Sequence, residues 1–241
     1  MTRYDTIGHG YVRTRREDPR VAARITAALE GCARIVNVGA GAGSYEPPDR
    51  RVIAVEPSAV MIGQRDPTKA PAVCASASEL PFQDGAFDAS LAVLTVHHWP
   101  DLARGLTELR RTTRKRRVIL TFDTSVGNFW LTDYFPEILT LDEEMMPSLS
   151  EIRRHLGDFD TVDVPISHDC VDGFLGAFWR RPEAYLEAEV RNGTSVFSLM
   201  TDVDTGVKRL RTDLESGEWL KQYGGLLEKS ELDLGYRLLI A

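Results

Sequence analysis

The sequence predicts a doubly wound α/β sheet that carries a mostly helical cap. Up to about Asp123, short apolar runs alternate with segments of helical periodicity, which is the pattern of a parallel sheet covered by helices on both faces. The interiors of these runs are rich in β-branched residues and free of charge, as expected of strands buried on both sides. Beyond Asp123, aromatic residues and helical segments dominate, and we interpret most of this part as a cap.

The first elements follow from periodicity and from turn residues. Val21, Ile25 and Leu29 repeat at helical spacing, so a helix is predicted over residues 18–31. Strands are then predicted, in order, at ARIVNVG, RVIAVEPS, APAVCASA, FDASLAVLTV and RRVILTFD, with helices at SAVMIGQRD and WPDLARGLTELRRTT. The segment SYEPPDR joins the first two strands, and its paired prolines allow at most about one turn of helix. This first crossover is therefore predicted to be short.

The second half of the chain is predicted to complete the same domain. SLSEIRRHLG has helical spacing, FDTVDVPISHDC alternates like a strand, and LDLGYRLLIA predicts a final strand. We expect one domain over residues 1–241, with the sheet in about 18–123, 148–170 and 231–241 and the cap in about 125–147 and 172–230. Caps built from insertions usually hold the substrate side of a site.

Composition and charge narrow the classes of function. The 241 residues are 43% hydrophobic and carry a formal charge of -7, which argues against a nucleic-acid or membrane-surface protein and favours a small-molecule partner. Cys32, Cys74 and Cys170 form no CxxC pair, so neither a zinc site nor a disulfide framework is predicted. With no apolar run resembling a signal peptide or a membrane span, we expect a soluble, cytoplasmic protein without a metal.

A glycine-rich turn follows the first predicted strand. Gly39, Gly41 and Gly43 form G-x-G-x-G, and glycines at a strand end let the backbone turn tightly and approach a ligand. The dinucleotide fingerprint G-x-G-x-x-G would need a glycine where Ser44 stands, and the prolines that follow weaken the helix whose N-terminus receives a pyrophosphate. A cofactor without phosphates is favoured over nicotinamide and flavin nucleotides. A loop that merely packs is the other interpretation.

Glu56 is the acidic partner of this loop. It lies at the tip of the second predicted strand, seventeen positions after Gly39 (56 minus 39). From there its carboxylate can accept hydrogen bonds from both hydroxyls of an adenosine ribose, each typically worth about 1.5–3 kcal/mol. The loop and Glu56 together predict an adenosine-containing cofactor.

Three segments, in order, carry a resemblance to a known family. IVNVGAGAGSYE, VIAVEPSAVMI and ASELPFQDGAFDASLAVLTVHHWPD resemble class I S-adenosylmethionine-dependent methyltransferases of the type-11 group, and LPFxDGxFD is the most specific element. The resemblance covers about residues 1–123. It implies a Rossmann-like sheet of seven strands whose last strand is antiparallel. It also implies S-adenosyl-L-methionine as cofactor and a small-molecule methyl acceptor of secondary metabolism, at an O, N or C atom.

The resemblance also implies which residues contact the cofactor. The methionine part, the ribose and the adenine would be contacted by Tyr11, Arg16, Gly39, Ala40, Gly41, Glu56, Pro57, Ser58, Met61, Ser76, Ala77, Ser78, Leu94 and Thr95. Ser76 stands where the family commonly has an aspartate that accepts from the adenine amino group. Its hydroxyl can accept the same bond, although the charge is missing. An exposed Arg16 without a role is the alternative to its place over the methionine moiety.

Methyl transfer from a sulfonium is an in-line displacement, so the protein must align the nucleophile and, where required, deprotonate it. His97 and His98 follow the fourth predicted strand, and ligands of open α/β sheets bind at such strand ends. They are the catalytic candidates, with packing against Trp99 as the alternative. His168 and Asp169 form a second candidate pair, for which structural use is the alternative. The candidates for the substrate pocket are Trp130, Tyr134, His168, Phe174 and Phe178.

A basic run, RRTTRKRR, occupies residues 110–117, and six of its eight residues are Arg or Lys. It leaves an RNA methyltransferase open. A solvated helix end in an otherwise acidic chain is the simpler interpretation. A non-catalytic protein that retains the cofactor site is a further alternative.

Overall fold

The computed structural model describes residues 15–126 and 129–241. Within these ranges the strands are β1 (Arg34–Val38), β2 (Arg51–Val55), β3 (Ala72–Val73), β4 (Phe87–Val93), β5 (Thr113–Phe122), β6 (Asp160–Asp163), β7 (Ile166–Ser167), β8 (Glu231–Leu232) and β9 (Tyr236–Ile240). Seven of them form one sheet in the order β3-β2-β1-β4-β5-β9-β6. β1 to β5 pair in parallel, and β9 runs antiparallel to both β5 and β6. The predicted doubly wound sheet with an antiparallel last strand is confirmed.

Helices cover the sheet and build the cap. In the described ranges they are α1 (Pro19–Ala28), α2 (Ala59–Gly63), α3 (Leu102–Thr112), α4 (Leu131–Tyr134), α5 (Glu137–Met145), α6 (Leu149–Leu156), α7 (Ala188–Asn192), α8 (Val203–Ser216) and α9 (Glu218–Tyr223). Short 3-10 turns span Val96–His98, Pro182–Leu186, Ser195–Ser198 and Gly224–Glu228. None of these described helices is long and apolar enough to cross a membrane.

Both faces of the sheet are buried. Neighbouring residues of a strand point to opposite faces, and both sets of side chains pack into hydrophobic clusters. In β1, Ile35 packs into the cluster that contains α1, whereas Val36 packs into the cluster that contains α3 and α6. In β5, Leu120 and Ile119 divide in the same way. This double burial explains the uninterrupted apolar runs in the sequence.

The crossover between β1 and β2 contains no helix, as its prolines predict, and a buried ion pair holds it instead. Nη2 of Arg65 lies 2.7 and 2.8 Å from the two carboxylate oxygens of Glu46. Nδ2 of Asn37 and the backbone N–H of Ala70 also donate to Glu46, at 3.2 and 3.1 Å. Both charged side chains are almost fully buried. Glu46 therefore ties the loop to β1 and to the segment after α2.

Two of the predicted strands are each broken into two. A different one, the third predicted strand APAVCASA, is shortened to the two residues of β3. FDTVDVPISHDC becomes β6 and β7, because Pro165 between them has no N–H to continue the ladder. LDLGYRLLIA becomes β8 and β9, separated by a bend at Gly235 with φ of +91°. The prediction of one continuous strand is wrong in both segments. β7 and β8 pair with each other in a small second sheet.

The cap has an aromatic core of its own. Trp130 contacts Tyr134, Tyr185 and Trp219 edge to face, with ring centroids 5.5–6.0 Å apart. Nε1 of Trp130 donates to the carbonyl oxygen of Trp179 at 2.7 Å, which satisfies the one polar atom of this buried ring. The cap is therefore a packed layer rather than a set of loose loops.

Candidate functional site

A cavity of about 480 Å³ lies at the carboxyl ends of β1, β2 and β4. This is the edge at which open α/β sheets bind ligands. The residues around it come from β1 to β4 and the segments that follow these four strands, from the N-terminal segment and from α5: Arg15, Asn37, Gly39, Ala40, Gly41, Ala42, Ser44, Glu56, Pro57, Met61, Ser76, Ala77, Val93, Leu94, Thr95, His97, His98, Trp99, Pro100 and Met145.

The glycines of the first turn serve two different purposes. Gly39 has φ of +71°, and a Cβ at this position would overlap the side chain of Thr95, so Gly39 allows two strand ends to pack closely. Backbone N–H groups of Gly39 and Ala40 donate to the carbonyl oxygen of Val55 at 2.8 and 3.1 Å, which fixes the turn on β2. Gly41 has φ of +51° and borders the cavity; the nearest atom to a Cβ there would be Cε of Met61, at 3.4 Å.

Glu56 presents an oriented carboxylate to the cavity. The side chain is 6% exposed. One oxygen accepts from the backbone N–H of Gly41 at 2.9 Å, and the other accepts from that of Ser58 at 2.9 Å. These two backbone donors hold the carboxylate of Glu56 in one orientation. The arrangement suits a ligand that offers hydroxyl donors.

The larger cavity fits an adenosyl cofactor without phosphates. Residues 39–50 form turns, so the glycine turn after β1 leads into no helix whose N-terminus could receive a pyrophosphate. The only carboxylate on the cavity wall in the described ranges belongs to Glu56, and it would repel phosphate while accepting from ribose hydroxyls. The hydroxyl of Ser76 also borders the cavity and can accept a hydrogen bond from an adenine amino group.

The structure brings most of the predicted cofactor residues to this cavity. These are Gly39, Ala40, Gly41, Glu56, Pro57, Met61, Ser76, Ala77, Leu94 and Thr95. Ser58 is fully buried and caps α2 instead, where its hydroxyl accepts from the backbone N–H of Met61. Ser78 lies outside the cavity wall, with its hydroxyl 3.5 Å from the carbonyl oxygen of Asp101. Tyr11 lies outside the described residues.

Arg15, rather than the predicted Arg16, reaches the cavity. Arg16 is exposed, whereas Arg15 precedes the buried N-cap of α1 and points inward. Nε of Arg15 donates to Asp172 at 2.6 Å, and the hydroxyl of Tyr45 donates to the same carboxylate at 2.7 Å. Asp172 is completely buried. The sequence carries no local signal for this choice, because the partner lies 157 positions away.

A second cavity of about 80 Å³ adjoins the first. Five residues border both: Arg15, Leu94, His97, His98 and Met145. The other walls of the smaller cavity come from β5, α5, the cap and β9: Phe122, Asp142, Met146, Phe174, Leu175, Gly193, Thr194, Ser195, Val196 and Tyr236. The shared residues show that the two cavities adjoin at the segment that follows β4.

His97 and His98 lie where the two cavities meet. They end the 3-10 turn after β4, and their ring centroids are 3.9 Å apart. Leu94, just before this turn, has φ of +49°, a conformation that costs a non-glycine residue about 1–3 kcal/mol. Its backbone N–H donates to the carbonyl oxygen of Leu120 at 2.8 Å, which holds the strained residue against β5.

Only Phe174 among the five predicted substrate-pocket residues lines the smaller cavity. Trp130, Tyr134 and Phe178 belong to the aromatic core of the cap, as helical spacing of large side chains commonly indicates. His168 lies beside the small second sheet, where its backbone N–H donates to Ser230. The carboxylate of the neighbouring Asp169 is exposed and bonded to Arg20 at 2.6 Å. His168 and Asp169, the second pair of candidates for a general base, therefore line neither cavity.

Asp142 is a residue of the site that sequence reasoning missed. It lies on α5, lines the smaller cavity and is 8% exposed. Burial raises the pKa of Asp142 to about 7. The surrounding sequence LDEEMM gave no indication of this, because the two glutamates that follow are exposed, as acidic residues usually are.

Several side chains of the basic run, residues 110–117, are bonded to other parts of the protein. Nη1 of Arg110 donates to the carbonyl oxygen of His155, Arg114 pairs with Asp88, and Arg116 donates to the carbonyl oxygen of Ala28. The run spans the end of α3 and the start of β5 rather than a solvated helix end alone. In the described parts of the chain, no group of three or more His, Cys, Asp or Glu is arranged to hold a metal ion.

Comparisons with known proteins agree with the geometry. The family model Methyltransf_11, a methyltransferase domain, matches residues 36–121. A structure from Anabaena variabilis, assigned as a methyltransferase of an antibiotic biosynthesis pathway, is 33% identical with a TM-score of 0.84, over 95% of this chain and 98% of that one. No curated protein matches the sequence.

More distant structures share the fold. The YcgJ protein of Bacillus subtilis is 17% identical with a TM-score of 0.53, over 92% of this chain and 96% of that one. The geranyl diphosphate C-methyltransferase of Streptomyces coelicolor, in complex with Mg²⁺, geranyl diphosphate and S-adenosyl-L-homocysteine, is 16% identical with a TM-score of 0.54, over 92% and 78%. With the family model and the Anabaena relative, the chain belongs to the Methyltransf_11 family of class I S-adenosylmethionine-dependent methyltransferases.

Proposed function

We propose that the larger cavity binds S-adenosyl-L-methionine and that the enzyme transfers its methyl group to a small molecule held in the smaller cavity. The observation that carries this proposal is the carboxylate of Glu56, buried at the end of β2 and oriented by two backbone N–H groups. Such an acceptor matches the paired hydroxyls of an adenosyl ribose, and charge-assisted hydrogen bonds are about twice as strong as neutral ones.

The remaining walls supply what an adenosyl group requires. Met61 and Pro57 provide apolar surface on the wall formed by the end of β2 and by α2. Ser76 provides a neutral acceptor where the adenine amino group is expected. Gly41 places no side chain on the cavity wall at its own position, so a ligand can approach the backbone there.

The chemistry requires little more than alignment and proton removal. When bound, the cofactor supplies an electrophilic methyl group on a sulfonium. His97 and His98 border both cavities, so either imidazole can take a proton from an O, N or C nucleophile of the acceptor. A positioned base of this kind typically contributes about 10²–10⁴-fold to the rate. A neutral imidazole is suited to this task because its ordinary pKa lies near neutrality.

The pathway assignment of the Anabaena relative supports an acceptor from secondary metabolism. That protein is assigned to an antibiotic biosynthesis pathway, and the two chains cover each other almost completely. We therefore expect a natural-product precursor rather than a nucleic acid. The internal contacts of the basic run support the same choice, because Arg110, Arg114 and Arg116 already have partners within the protein.

Calorimetry and a methyl-transfer assay test this proposal together. S-adenosylmethionine should bind the purified protein at one site, and NADH should not bind. Methyl groups from isotope-labelled cofactor should then appear in one class of a panel of amines, phenols and carboxylic acids, with product masses read by mass spectrometry. Binding of NADH without binding of S-adenosylmethionine would contradict the proposal.

A histidine variant tests the catalytic assignment once an acceptor has been found. His98→Ala should lower kcat by about 10²–10⁴-fold if its imidazole is the base. His155→Ala is the matched control, because His155 lies on α6 and lines neither cavity. Full turnover of the His98 variant would leave His97 or alignment alone as the source of the rate.

A further inference from the structure

The smaller cavity contains a buried carboxylate that the proposed function leaves without a task. Asp142 lies on α5, lines this cavity and is only 8% exposed. Among the described residues, no donor forms a hydrogen bond or ion pair with its carboxylate, and burial is the only cause of its raised pKa. A buried carboxylate without a partner is costly, because the charged form loses its hydration without compensation.

Among the described residues, no other charged or titratable group around this cavity forms a hydrogen bond or an ion pair with Asp142. Arg15, from the N-terminal segment, is already bonded to the buried Asp172. Tyr236, from β9, donates its hydroxyl proton to the carbonyl oxygen of Leu175 at 2.6 Å, and burial keeps its pKa well above the ordinary value. His97 and His98 line the cavity from the turn after β4.

The other walls are largely apolar. Phe122, Phe174 and Met146 contribute rings and a thioether, and the ring centroids of Phe174 and Tyr236 lie 4.7 Å apart. Such walls lower the local dielectric, so a charge that enters interacts strongly with the carboxylate. Aromatic faces also attract cations. An anion would meet the opposite situation, because Asp142 would repel it.

We infer that the smaller cavity binds a cationic amine of the methyl acceptor, with the carboxylate of Asp142 as its anchor. The inference rests on the proposed function, since it names the substrate class of the same site. A volume of about 80 Å³ accommodates a short aminoalkyl group rather than a whole natural product, so the rest of the acceptor would extend towards the larger cavity. This ammonium group would stay protonated against Asp142, while the nucleophilic atom, on the part of the acceptor that extends towards the larger cavity, would give its proton to His97 or His98.

Calorimetry with n-butylammonium tests the inference without knowledge of the acceptor. At pH 8, n-butylammonium should bind the wild-type protein saturably, and more tightly than butan-1-ol or pentanoate. Asp142→Asn should weaken n-butylammonium binding at least tenfold. Glu143→Gln is the matched control on the same helix, because Glu143 is exposed, and should stay within twofold of wild type.

The pH dependence separates Asp142 from the histidines. Between pH 8 and pH 5.5, n-butylammonium binding to wild type should weaken about tenfold, because Asp142 becomes protonated while the amine stays charged. Protonation of His97 or His98 repels the amine in wild type and in Asp142→Asn alike. A steeper pH dependence in wild type than in Asp142→Asn therefore reports on Asp142.

Equal affinity in wild type and Asp142→Asn, no saturable binding to wild type, or preference for pentanoate would overturn the inference. Melting monitored by circular dichroism establishes that each variant is folded. If Asp142→Asn does not fold, the ranking of n-butylammonium, butan-1-ol and pentanoate on wild type decides. S-adenosylmethionine binding is measured on the same samples. If the wild-type protein does not bind S-adenosylmethionine, the proposed function is wrong. If it binds S-adenosylmethionine but does not prefer n-butylammonium, only this inference is wrong.

Discussion

On the described walls of the two cavities, each has one acidic residue, and these two residues are nearly equally buried but have opposite surroundings. Glu56 is 6% exposed and accepts from two backbone N–H groups, whereas Asp142 is 8% exposed and has no donor among the described residues. The first carboxylate is oriented by the fold before any ligand arrives. The second is left for a ligand to complete. Equal burial therefore does not mean equal function: the presence or absence of protein donors separates a prepared acceptor from an open anchor.

The two cavities also differ in how the chain builds them. Apart from Arg15 and Met145, the larger cavity is built from residues 37–100, at consecutive strand ends. The smaller one combines residues of the N-terminal segment, β5, α5, the cap and β9. A local motif can be read from its spacing, whereas a site assembled from distant segments cannot.

The largest predicted effect concerns the support of the larger cavity. Glu46→Gln keeps the shape of the side chain but leaves the buried guanidinium of Arg65 without its counter-charge. We expect the free energy of unfolding to fall by about 3–5 kcal/mol in urea titrations. Glu218→Gln breaks the exposed pair with Lys221 and should cost at most about 1 kcal/mol. Equal losses in the two variants would show that burial does not distinguish the pairs.

The next effect concerns the stability contribution of Asp142. Its pKa is about 7 in the folded protein and near 3.8 when unfolded, so the folded state binds the extra proton between these values. Stability therefore falls as pH rises through this window and is level above it. Relative to wild type, Asp142→Asn should gain about 2–3 kcal/mol between pH 5 and pH 8. Urea titrations at both pH values measure this gain, and an unchanged difference would contradict the raised pKa of Asp142 in the folded protein.

A third prediction compares two glycines with nearly the same backbone. Gly39 and Gly31 have φ of +71° and +74°, but a Cβ would overlap Thr95 only at Gly39 and meets nothing within 4 Å at Gly31. Gly31→Ala should cost about 1–2 kcal/mol from conformation alone. Gly39→Ala should cost about 1–3 kcal/mol more, because it also overpacks the two strand ends. Thermal unfolding of both variants measures the difference, and equal losses would show that the contact with Thr95 is easily relieved.

The fold was predictable because its signals are local. Periodicity placed α1 and α3, apolar runs placed β1, β2, β4 and β5, and the paired prolines predicted the crossover without a helix. The two broken strands were missed, since the effects of Pro165 and Gly235 depend on which neighbour each half pairs with. A pattern of alternation shows that a segment is extended but not which strand it joins.

The candidate site divides in the same way. Gly39, Gly41 and Glu56 could be identified because the loop and the end of β2 are close in the chain as well as in space. The sequence does not show that Arg15 rather than Arg16 reaches the cavity, because Arg15 is held there by an ion pair with Asp172, which lies far away in the chain. Trp130 lies in the aromatic core of the cap and on the wall of neither cavity, and an aromatic side chain in a cap has the same sequence pattern in a core as beside a ligand.

Calorimetry on Glu56→Ala tests the central claim most directly. S-adenosyl-L-homocysteine and its 2′-deoxyadenosyl analogue are titrated into wild type and variant, with melting curves as the control for folding. Wild type should prefer the ribose form at least tenfold, and the variant should bind it at least tenfold more weakly and lose the preference, because the lost hydrogen bonds are worth about 1.5–3 kcal/mol each. Unchanged affinity in a folded Glu56→Ala, or the same preference in both proteins, would contradict the assignment of Glu56 as the ribose acceptor.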